Sequence, residues 1–553
     1  MHQLRTEEVL ALRRTLARTQ GEERTALLRA VLGRPIRSPK ALREWHDLLL
    51  FLLAHPADLE EHALATGELE RVVALGKALV DGSERTRYGL INSGLEHAPL
   101  QSTFTLHLTR WMLEHWGERV EIFSVEAPLD EFRELLRLLL SPAEWETVDQ
   151  SYADVQELLT YAYGPSRVLQ LQRLVDALSA LRCDASTREH LWARMQVYVK
   201  VEDAKGCGMS LARAPTQAPY CLPQGLTRDV DLMAVVNEPV AAAVRLNARQ
   251  QQALIDTART VLATLHRETD PVTYAGSVEL FDMGRGLRIA FFHMDVAHRL
   301  PFDSYVGFMA FRNGVPLAYG GAWIFPGRSK VGINVFPALR GGESAWFFAQ
   351  LLRLYRQRCG VGRFEAENYQ LGHNNPDGLK SGAYWFYYRL GFRPVTKALQ
   401  RAAEREFSKL SSRKDHQVPL KLLKELVEHG LELIVDDNGT PLTDTASLTM
   451  AVQQHVVQRY QGDRERAMRF ALERLGNTLP LGDLAQWSAE QRVTLYLWAL
   501  PLDLVDGLEQ WSLAEKRGLV ALIRSKAEAE ETKHQLLLAR AGRLRAAWTS
   551  HAR

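Results

Sequence analysis

The sequence predicts an α+β protein: a mixed, mostly antiparallel sheet core flanked by N-terminal and C-terminal helical regions. Three observations lead there. From residue 1 to about 265, apolar residues recur at spacings of three and four. From about Thr269 the pattern gives way to short runs rich in β-branched and aromatic residues. After about residue 400 helical spacing returns. The expected divisions are a helical region over 1–225, an α/β domain with a leading helix over 226–400, and a helical region over 401–553.

In the first region, 41–55, 103–117 and 166–181 carry helical periodicity, and Ser141-Pro142-Ala143-Glu144 reads as a capping box with proline at the first helical position. The Gly- and Pro-rich stretch 202–225 reads as a long loop between subdomains. Strands are expected at 287–292, 305–311, 316–325, 330–337 and 363–368, with a hairpin turn at Asn313-Gly314. A helix at 343–358 falls between the last two. Gly320-Gly321 predicts a bulge or a close ligand approach. Beyond 400, a helix at 418–430, a small hairpin at 431–442 with an Asp-Asn-Gly turn, and capping boxes at Ser488…Gln491 and Ser512…Glu515 are expected.

The chain has 553 residues, 46% hydrophobic and 24% charged, with Lys+Arg 68 against Asp+Glu 66 and a net charge of +2. That balance gives no global attraction to nucleic acid or an anionic membrane, and leaves a local basic patch open. The four cysteines form no CxxC pair and match neither a zinc site nor a disulfide framework. The charged N-terminus lacks a signal-peptide core, and the most apolar run, 47–55, is too short to span a bilayer. A soluble cytoplasmic protein is expected.

Pro337, Arg340 and Gly341 follow the fourth expected strand, and Tyr387 precedes Gly391-Phe392 after a further helix and strand. In this order and spacing, about residues 269–400 resemble a GNAT-type N-acyltransferase domain. The resemblance implies an enzyme joining an activated acyl group to an amine, with no tightly bound cofactor. It implies acyl-CoA, a carrier-protein thioester or an aminoacyl-tRNA as donor, and a small-molecule or peptide amine as acceptor. A non-catalytic GNAT-like binding module in a helical scaffold stays open as the alternative. Arg340, Gly341, Gly342 and Ser344 would hold phosphate at the N-terminus of the helix, where free N–H groups and the dipole favour anions. Glu343 stands where the family has glycine, and a carboxylate there complements the helix dipole and repels a phosphate. Tyr387 would donate a proton to the leaving thiolate.

On strand 363–370, Glu365, Glu367 and Tyr369 are expected on one face. Two carboxylates about 7 Å apart favour a raised pKa and general-base work. The polar insert 371–382 offers His373, Asn374 and Asn375 as substrate contacts beside Tyr369, with a surface turn as the plainer reading. His293, Asp295 and His298 read as structural or substrate-facing rather than as a metal site. The five consecutive rings 384–388 are expected partly under the sheet and partly along a cleft.

Overall fold

The computed structural model describes residues 2–149, 154–203, 206, 208–215, 218–223, 225–413, 415–436 and 444–551. It contains an eight-stranded mixed sheet, a small three-stranded sheet and many helices. The small sheet is formed by β1 (Leu100–Thr103), β2 (Val120–Val125) and β3 (Val197–Val201), in the order β1-β3-β2. The helical expectation for 1–225 misses these strands, although β3 alternates buried and exposed side chains as a half-buried strand must.

The large sheet is built from β4 (Ala275–Asp282), β5 (Leu287–Met294), β6 (Ser304–Arg312), β7 (Val315–Phe325), β8 (Arg328–Val335), β9 (Arg363–Ala366), β10 (Arg393–Pro394) and β11 (Leu431–Ile434). Their order is β10-β11-β9-β8-β7-β6-β5-β4. All neighbours are antiparallel except β8 and β9, whose connection runs through helix Ser344–Cys359 as a parallel pairing requires. The Asn313-Gly314 turn has positive φ at both residues, the conformation a two-residue hairpin favours. The capping boxes at Ser488 and Ser512 form as expected.

Several expectations need correction. The strand expected over 363–370 stops at Ala366, and Glu367 instead precedes a helical turn at Asn368–Leu371. Residues 431–434 form no local hairpin: β11 slots between β9 and β10, so the sheet draws a strand from beyond residue 400. The expected Asp-Asn-Gly turn lies outside the described residues. The insert 371–382 is not an open loop either; Pro376–Ser381 is a short helix that Asn375 caps by accepting from the Gly378 N–H.

Three apolar cores result. The first runs from Leu4 to Leu433 and joins the first N-terminal helices to the large sheet. The second belongs to the small sheet and its helices, and the third to the C-terminal helices. Helix Pro39–Ala54 explains the joint core: eleven of its sixteen residues are buried, and from Leu48 onward it needs cover on all sides.

Candidate functional site

The parallel ladder between β8 and β9 pairs only Arg328, Ser329 and Lys330 with Arg363, Phe364 and Glu365. Beyond Lys330 the strands part, because β8 runs on to Val335 while β9 ends at Ala366. A cleft of about 120 Å³ lies at this fork, lined by Thr269, Tyr305, Gly320, Gly321, Trp323, Lys330, Val331, Gly332, Asn334, Glu367 and Gln370.

Strand register explains the cleft. Gly307, Gly321 and Gly332 lie directly opposite one another on β6, β7 and β8; Pro271 packs over Gly307, so the glycines left at the cleft are Gly320, Gly321 and Gly332. The neighbouring row on the same face reads Tyr305, Trp323, Lys330, Glu365. Tyr305 and Trp323 stack with centroids 4.1 Å apart and form an aromatic wall. Burial pushes the Tyr305 hydroxyl up to about 12, so it is a hydrogen-bonding phenol rather than a phenolate at neutral pH. Lys330 Nζ pairs with Glu367 at 3.0 Å on the rim. Helix Ser344–Cys359 packs on the opposite face, where Tyr355 donates to the Val306 carbonyl and Phe347 meets Phe308.

The bulge expected at Gly320-Gly321 is absent, although both glycines line the cleft. The β6–β7 register shift falls at Ala310–Phe311, not at Gly320. A side chain at Gly320 would instead place its Cβ 2.2 Å from the Gly332 carbonyl oxygen. The close approach is made by the neighbouring strand.

Of the expected carboxylates, Glu367 reaches the cleft and Glu365 does not. Glu365 pairs with Arg328 at 3.2 Å, faces Glu432 across β11, and has its pKa raised by burial first, with Glu432 adding and Arg328 opposing. The two carboxylates therefore hold separate cations instead of sharing a proton. Tyr369 is exposed, and its carbonyl accepts from Asn375, whose side chain is spent on that bond and on its cap. Asn374 takes a positive φ in the exposed turn, and the half-buried His373 donates its backbone N–H to Asn368. None of these four lines the cleft; their neighbour Gln370 does.

The aromatic run forms helix Ala383–Arg389, buried on two sides. Phe386 and Tyr387 pack toward Phe348 and Phe392, while Trp385 and Tyr388 pack toward Phe407. No ring of 384–388 lines the cleft. Burial raises the Tyr387 pKa strongly, which opposes ready proton loss but leaves the neutral phenol intact.

The loop 337–344 is covered by the N-terminal helices. Arg13 donates to the carbonyls of Ala338 at 2.8 Å and of Pro337 and Arg340 at 3.4 Å. His55 lies against Gly342 so closely that a Cβ there would sit 2.6 Å from its Nε2. Burial, with Arg312 and Arg24 nearby, depresses the His55 pKa well below its usual value. Arg340 and Gly341 stay exposed and Ser344 is half-buried. Glu343 neither caps its own helix nor faces solvent. It accepts from Arg312 at 2.7 Å, from Arg285 at 2.6 Å and from the Thr227 N–H at 3.0 Å. Both guanidinium groups lie between the rings of Tyr220 and Trp346.

His293 is buried and pairs with Glu279, whereas His298 bonds to Asp295 at 2.8 Å and stacks on Tyr274. Among the described residues no cluster has the makings of a metal site. Sequence reading missed Tyr305, Trp323, Gly332 and Gln370. The signal available was one glycine in each of three successive strands. Compared with family models, with curated proteins and with solved structures, the chain matches none.

Proposed function

We propose that this chain is a GNAT-like N-acyltransferase that joins an activated acyl group to an amine at the glycine-floored cleft. The observation that supports it is the fork between β8 and β9, with exposed backbone on the floor and Glu367 on the rim. A planar acyl group fits against bare glycine backbone, and the Tyr305–Trp323 wall gives it an apolar side. Glu367, paired with Lys330 at the rim, takes the proton an attacking amine must lose. The cleft has room for an acyl group and an amine terminus only, so the carrier of the acyl group lies outside it.

A non-catalytic binding module is the second reading, and Glu343 favours it. The carboxylate occupies the phosphate-loop position and is held there by two arginines of the same chain. The test is acyl transfer followed by mass spectrometry, offering acyl-CoAs, carrier-bound thioesters and aminoacyl-tRNA with a panel of amines. Acylated amine is expected from one donor class. If no donor class gives product, the binding-module reading replaces the enzyme.

A further inference from the structure

A groove of about 830 Å³ that shares no lining residue with the cleft runs between the start of helix Pro39–Ala54 and residues 85–89. Its lining carries Arg37, Lys40, Arg43 and Arg85 against the carboxylates of Glu44 and Asp47. A chain whose net charge is only +2 thus concentrates an excess of the same size in one groove. The partnering of these cations differs from that of their neighbours. Arg34 pairs with Glu8, Arg71 with Glu68, Lys77 with Asp81 and Arg87 with Glu202. Among the described residues, the four groove cations hold no carboxylate and make no side-chain hydrogen bond, and all four are exposed. Asp47 is turned toward His46, with which it pairs at 3.2 Å.

The groove floor adds to the field. Ser38 caps the sixteen-residue helix, and Pro39 follows at its first position, so the positive end of the helix dipole points into the groove. Tyr88, more than half exposed, immediately precedes the groove residue Gly89 in the chain. Unpaired cations, a helix N-terminus and an exposed ring together match a phosphate ester bearing a base, since every base offers a face for stacking.

We propose that this groove binds the phosphate groups of a nucleotide or of an RNA strand. The inference is independent of what the β8–β9 cleft does. The test is fluorescence polarisation with a labelled single-stranded oligoribonucleotide over about 50 to 200 mM salt, with unlabelled ATP as competitor. The comparison is with the Lys40→Glu/Arg43→Glu variant. These side chains have no partner in the fold, so circular dichroism and melting should be unchanged. Binding is expected with a log–log salt slope of about −3, from roughly 0.7 per phosphate neutralised on a single strand and four cations. The double reversal is expected to weaken it more than tenfold and to flatten the slope. Displacement by ATP at concentrations comparable to its own binding would identify a free nucleotide as the source; resistance to it would identify the strand. No binding by the native chain at low salt, or equal binding by a folded variant, overturns the proposal.

Discussion

Replacing Glu343 with glutamine isolates the most heavily buried charge arrangement at the joint between the N-terminal helices and the sheet. The Glu343 and Arg312 side chains are about 2% and 1% exposed, and one carboxylate oxygen meets each arginine. Glutamine keeps the size and leaves Arg312 as a buried cation without its counter-charge. Arg285 is partly exposed and reorients toward water, so the cost rests on Arg312. Breaking one partner of a buried pair costs about 3–5 kcal/mol. The ring faces of Tyr220 and Trp346 still receive the guanidinium, which places the expected loss near the lower figure, about 3 kcal/mol. The slope of roughly 1–3 kcal/mol per molar urea seen in small proteins rises with size, so in a chain of 553 residues the unfolding midpoint should fall by about 0.5–1 M. Urea unfolding followed by intrinsic fluorescence measures it. The double variant Glu343→Leu/Arg312→Met should recover much of the loss, because it removes both charges and keeps apolar volume. A Glu343→Gln midpoint within about 0.2 M of the native value would refute the reasoning, since surface pairs behave that way.

Two further outcomes follow. Tyr387→Phe should keep the fold and leave acyl transfer within about twofold, because the ring packs among Phe348, Phe386 and Phe392 outside the cleft; a loss on the order of a hundredfold would restore the phenol as the general acid. Stability should fall as pH drops from about 6.5 toward 4. Burial lowers the pKa of His107 to about 4 and those of His55 and His534 well below the ordinary range, so the unfolded chain takes up protons first. Glu279 acts in a separate window: burial raises its pKa, but His293, Arg358 and Thr532 outweigh that and bring it to about 2. Its contribution is complete above about pH 4.5 and is lost as pH falls through 2. Urea midpoints that stay level from pH 7 to 5 would contradict the histidine assignment.

Local signals in the chain were legible where they involve neighbours in sequence. Asn313-Gly314 fixed its hairpin, and Ser488 and Ser512 fixed their helix starts, because a turn or cap is decided within a few residues. The strand 363–366 and its crossover helix were legible for the same reason. Its end at Ala366 was not, since it depends on β11 arriving from residue 431. Site residues failed in the same way. Glu365 and Glu367 look equivalent along the chain, yet Arg328 and Lys330, reached only through the parallel register, separate their roles. The rings 384–388 exceed what one helix face hides, and the second face is covered by Phe407, which belongs to a later helix. Glu343 read as a helix-dipole residue because Arg285 and Arg312 lie far away in sequence.

The most direct measurement compares acyl transfer by the native chain with that by Gly332→Val, using whichever donor class gives product. Gly332 has an ordinary backbone conformation, and an added Cβ meets the flexible end of Gln370 at 3.1 Å and the Gly321 carbonyl oxygen at an ordinary 4.0 Å. The valine therefore fills the cleft while the sheet keeps its register. Transfer should fall by at least tenfold with melting essentially unchanged, because the lost space is where the acyl group meets the amine. Native rates from a folded Gly332→Val protein would mean that the reaction takes place elsewhere, and that the fork between β8 and β9 is only a feature of the sheet.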